Sequence, residues 1–70
     1  MKKKYDIQIG DLFYVPISDT TILITNLPSL KTYYCRGIYA GVTEEKNVGT
    51  LEGINNAINT GEWIYYPVVE

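Results

Sequence analysis

Seventy residues carry six Lys and Arg against eight Asp and Glu, a formal charge of −2 at pH 7, with 46% hydrophobic and 20% charged residues. That length holds one small domain, residues 1–70, and the composition is neither that of a disordered tail nor that of a membrane span. With no His and a single Cys, a His-based triad, a paired Cys/His zinc site and an intrachain disulfide are all excluded.

The chain starts with Met1-Lys2-Lys3-Lys4, which resembles the basic head of a secretion signal. Polar residues interrupt the stretch that follows, 5–11, so no apolar signal core is expected and the expected location is cytoplasmic. Residues 1–6 read as a flexible or partly ordered segment. Residues 12–17, introduced by Gly10-Asp11, predict a first strand that Pro16 confines to an edge or ends. Ser18-Asp19 reads as a turn and residues 20–25 as a second strand, completing a hairpin. Asn26-Leu27-Pro28-Ser29 then breaks the chain.

Residues 32–42 predict a third, long strand. Tyr33, Cys35, Gly37, Tyr39 and Gly41 fall on one of its faces, and Tyr34, Arg36, Ile38, Ala40 and Val42 on the other. Gly37 and Gly41 mark places where a strand bends or another backbone comes close. Residues 43–47 read as a polar loop. The helical signal covers about 50–60: Thr50 caps, Glu52 lies in the first turn, and Gly61 terminates. Leu51, Ile54 and Ile58, with Ala57 beside them, form its apolar stripe. Gly53, Asn55, Asn56 and Asn59 are weak helix formers, so this helix depends on docking. Residues 62–68 predict the last strand.

Nine Ile, seven Thr and five Val against two Ala suit pleated, half-buried surfaces. The expected fold is therefore mainly β, a small α+β domain. Its leading form is a strongly bent antiparallel sheet closed as an SH3-like barrel, with one short helix before the last strand. An open sheet with the helix across one face is the second architecture. A core of this size buries roughly 60% of the unfolded chain's surface, and neither disulfide nor metal can reinforce it. A second copy of the chain is the remaining route to stability, so a homo-oligomer is an expectation.

No constellation points to catalysis. The carboxylates of Asp6, Asp11, Asp19, Glu44, Glu45 and Glu62 fall at turns and segment ends, where capping or solvated acids belong. Arg36, the charged neighbour of Cys35, points to the opposite strand face, so Cys35 reads as a small buried hydrophobe. The glycines match neither dinucleotide nor Walker spacing. No enzyme, cofactor or metal site is expected.

The aromatic residues are the informative excess: seven Tyr, one Trp and one Phe. Tyr33, Tyr39, Trp63, Tyr65 and Tyr66, with Arg36, are the candidate binding residues, because Tyr, Trp and Arg dominate interface hot spots. On this reading Ala at Trp63 or Tyr65 abolishes binding without unfolding the domain. Aromatics also stack on nucleobases, but the negative charge and scarce bases disfavour nucleic acid.

Gly10-Asp11-Leu12-Phe13-Tyr14, followed by a Thr/Ile-rich strand, resembles the opening of short accessory proteins carried by bacteriophages. Residues 51–66, helix, glycine and Trp-bearing strand, are similar to their C-terminal portion. The chain departs from that pattern in residues 33–42 and in its loops. The resemblance implies an SH3-like fold and a protein of the host cytoplasm that binds and disables a host factor. Three functions follow as expectations. The first is a non-enzymatic inhibitor of a host defence protein. The second is an oligomeric sponge in which tyrosines stack on a small nucleotide and Arg36 pairs with its phosphate. The third is a nucleic-acid-binding SH3-like module.

Overall fold

The computed structural model describes residues 3–68; Met1, Lys2, Val69 and Glu70 lie outside the described residues, so the predicted N-terminal segment is seen only from Lys3. Five strands and one helix follow one another: β1 (Leu12–Val15), β2 (Thr20–Asn26), β3 (Cys35–Tyr39), β4 (Lys46–Gly49), α1 (Leu51–Thr60) and β5 (Ile64–Tyr66). They form a single antiparallel sheet in the order β4-β3-β2-β1-β5. The fold is mainly β, with one short helix before the last strand, as the pattern predicts. β4 and β5 lie at opposite edges and are not paired with each other among the described residues.

Three strands are shorter than the sequence expectation, each for a local reason. β1 stops at Val15 because Pro16 starts a turn in which Ser18 N–H donates to the Val15 carbonyl (3.3 Å) and Asp19 N–H to that of Pro16 (3.2 Å). Asp19 adopts φ +51 there. β3 covers five residues rather than eleven. At one end Ser29 turns the chain, its hydroxyl accepting from the Lys31 and Thr32 N–H groups at 3.3 Å each. At the other, Val42 N–H closes onto the Tyr39 carbonyl (3.0 Å) and Gly41 takes φ +83. Gly41 is thus a turn residue and not part of the strand. The turn lets residues 46–49, the end of the predicted loop and the residues after it, come back as β4 against β3. β5 is confined to Ile64–Tyr66, leaving Trp63 before it with its N–H on the Ala57 carbonyl (3.1 Å).

Gly37 meets the close backbone approach its position suggested. A Cβ there would stand 2.5 Å from the Leu23 carbonyl oxygen and 2.9 Å from Val48 Cγ2. The pairing shifts register between Ile24 and Asn26 and again between Cys35 and Arg36, two irregularities that add local twist.

The helix is built as its sequence predicts. Thr50 caps it, Oγ1 accepting from Gly53 N–H (3.0 Å), and Gly61 ends it in the left-handed conformation with its N–H on the Ile58 carbonyl (3.2 Å). Ile54 and Ala57 are buried, and Ile58 packs beside them, whereas Leu51 stays 42% exposed at the helix start. Ile54 joins Ile7, Phe13, Ile22, Ile24 and Cys35 in the core. Phe13, Ile22 and Ile24 come from one face of β1 and β2, so the helix covers that inner face. No helix among the described residues is long and apolar enough to cross a membrane.

Candidate protein-docking face

A strand that buries Phe13 must present Leu12 and Tyr14 on its other side, and one that buries Ile22 and Ile24 must present Leu23. Register then aligns these residues across the sheet. Leu12 pairs with Tyr66 of β5 on one flank and with Leu23 of β2 on the other, and Leu23 pairs with Ile38 of β3. Tyr66, Leu12, Leu23 and Ile38 therefore form one apolar rung across four strands, on the face opposite the helix. Tyr66 is 54% exposed, Leu12 39% and Leu23 38%. The next rung adds Ile64 and Tyr14, which pair with each other.

Polar groups border this row on both sides. Tyr14 Oη donates to Asp19 Oδ1 at 2.6 Å, and that acceptor raises the Tyr14 pKa above the ordinary phenol value, with burial and the Asp19 charge adding to it. At the β3–β4 side, Arg36 is engaged through three nitrogens. Nε donates to Glu45 Oε1 (2.7 Å), Nη1 to Asn47 Oδ1 (2.8 Å) and Nη2 to the Glu45 carbonyl (3.2 Å). Thr25 Oγ1 and Asn26 Nδ2 both donate to the other Glu45 oxygen. The Thr25 hydroxyl, Arg36 and Asn26 together hold the Glu45 carboxyl below the usual range. Arg36 is thus a braced rim group whose fork is already used inside the protein.

The six residues selected from the sequence do not share one face. Tyr66 and Arg36 lie on the outer face. Tyr65 and Trp63 belong to the core side, where Tyr65 stacks on Phe13 (centroids 5.2 Å, planes 17° apart) and Trp63 tilts against it at 5.4 Å. Tyr39 pairs with Ile22 and packs partly buried against the core. Tyr33 lies in the loop before β3, 73% exposed and edge-on to Tyr34. The sequence reading missed Leu12, Tyr14, Leu23, Ile38 and Ile64. The signal was present: 12–15 and 20–25 carry large apolar residues at both parities, and one short helix covers one sheet face.

The buried carboxylate is Asp11, fully enclosed rather than solvated at its turn. It accepts from Gln8 N–H (2.8 Å), Tyr65 Oη (2.7 Å) and Val68 N–H (2.8 Å), which satisfies it and fastens β5 to the start of β1. Burial raises the Cys35 thiol pKa, the opposite of what a nucleophile needs. No group of three or more His, Cys, Asp or Glu gathers among the described residues. No protein-family model matches the chain, and comparison with curated proteins and with solved structures found no match.

Proposed function

We propose that this chain is a small non-enzymatic binding protein that docks a partner protein on the outer face of its sheet. The carrying observation is the rung Tyr66–Leu12–Leu23–Ile38, an apolar row held in line by strand pairing, with Tyr66, Leu12 and Leu23 exposed and Ile38 half-buried. An apolar centre with a rim of satisfied polar groups, here Arg36–Glu45–Asn47 and Tyr14–Asp19, is the anatomy of a protein interface. The partner this fits presents a matching apolar surface. The sheet edges favour the same reading: β4 has four residues and starts with Lys46, and β5 has three and is followed by Pro67. Short edges bearing Lys or Pro discourage strand addition, which leaves the face as the docking surface.

The finer fold reading is an SH3-like barrel. The four-strand meander, with the last strand returning beside β1 after a single helix, supports it. Together with the resemblance to phage accessory proteins, it supports a host defence protein, inhibited by the docking, as the partner.

Leu23→Glu is the test. A charge at the centre of the row lowers affinity for a partner captured by the wild-type chain by thirty-fold or more, on the order of 2 kcal/mol. Because Leu23 faces away from the core, the melting temperature stays near that of the wild type. Capture unchanged by Leu23→Glu and by Tyr66→Ala overturns the reading.

A further inference from the structure

Residues 3–5 are attached to the helix in an unusual way. The Asn59 side-chain amide accepts from Lys3 N–H (2.8 Å) and donates to the Lys3 carbonyl (2.7 Å). Asn55 does the same for Tyr5, accepting from its N–H and donating to its carbonyl (3.3 Å). Two asparagines four apart on a helix are separated by about 6.0 Å of rise, and alternate residues of an extended chain by about 6.6 Å. The match makes this face of α1 a reader of extended main chain. It recognises peptide groups rather than side chains, and Lys3 and Lys4 are exposed. Tyr5, edge-on to Tyr65 at 5.4 Å, and Ile7, 3% exposed in the core, add side-chain anchors.

A tight turn connects this segment to the sheet. Gln8 N–H bonds Asp11 Oδ2 (2.8 Å), Asp11 N–H bonds the Gln8 carbonyl (3.2 Å), and Gly10 stands at φ +99. Ile9 lies in that turn, 57% exposed. We propose that residues 3–7 exchange between two copies of this chain, each segment occupying the other's Asn55/Asn59 face. The segment of a second copy satisfies every contact of the first, since exchange of an identical element needs no new complementarity. Opening the turn straightens residues 8–10 and lays the two hinges side by side. That covers Ile9, the exposed apolar group of the turn, and burying it in both copies is the gain that opposes the lost turn bonds and the cost of association.

A short connection holds the closed form at an effective concentration in the millimolar range, so the test uses the wild-type chain at about 1 mM. A mixed sample of isotope-labelled and unlabelled protein, refolded together, gives intermolecular cross-peaks between the Tyr5 and Tyr65 rings in an isotope-filtered NOE experiment. Ile9→Asp lowers the dimerisation constant about a hundredfold, because the dimer buries the Ile9 of both copies. Asn55→Ala leaves that constant unchanged, because the same clasp exists in monomer and dimer. A chain that stays monomeric at about 1 mM overturns the proposal. So does a dimer with only intramolecular Tyr5–Tyr65 peaks, or one indifferent to Ile9→Asp.

Discussion

Tyr65 joins three parts of the molecule through one side chain. Its ring lies between Phe13 and Tyr5, and its hydroxyl donates to the enclosed Asp11 carboxylate. Burial first, then that hydrogen bond and the Asp11 charge, push its pKa well above the ordinary value of 10.0. A group whose pKa is raised by folding contributes stability that is fully present below its unfolded value and lost as pH rises past it. The wild-type melting temperature therefore falls as pH climbs above about 10. Tyr65→Phe keeps the ring and removes the titrating group, so its melting temperature changes less between pH 9 and 11. Parallel slopes for the two proteins over that interval refute this role.

Among the elements, β3 makes a close backbone approach to its neighbours. It pairs on both sides and contains Gly37, where a methyl group would collide with the Leu23 carbonyl and Val48. Gly37→Ala forces backbone apart, and overpacking of this kind costs about 1–3 kcal/mol; urea unfolding reads the loss directly. The close approach at Gly37 was legible from a glycine in a β-rich segment. β4 was not, because Lys46-Asn47-Val48-Gly49 carries little strand propensity and is held by pairing to β3. α1 was legible at both ends, since Thr50 and Gly61 act through the local backbone. Its Asn55 and Asn59 looked only like weak helix formers. Their partners are 50 and 56 residues away in sequence, a relation no local pattern carries.

Across the whole molecule the sheet has one covered face and one open face. The aromatic count suggested a binding surface, yet Trp63, Tyr65 and Tyr39 pack partly buried against the core. The open face is built mainly from aliphatic residues instead, which only the register of four strands brings into line. Cys35, fully buried in the core, reports on the integrity of this arrangement. Its thiol resists a water-soluble disulfide reagent in the native protein and reacts fully in denaturant. Rapid labelling of native protein would mean that the core opens locally.

The fastening at Asp11 also decides how the molecule answers force. Leu12 stands opposite Tyr66 at one end of the β1–β5 ladder, and Val68 is tied to Asp11 just beyond it. Tension applied through Lys3 and Val68 therefore meets these two strands at the same end. It loads the Asn59 and Asn55 clasps on Lys3 and Tyr5 together with the Asp11 bonds, and then peels the ladder one rung after another, like a zip, rather than shearing all rungs together. The domain is a mechanically soft one, with β5 the first strand to come away.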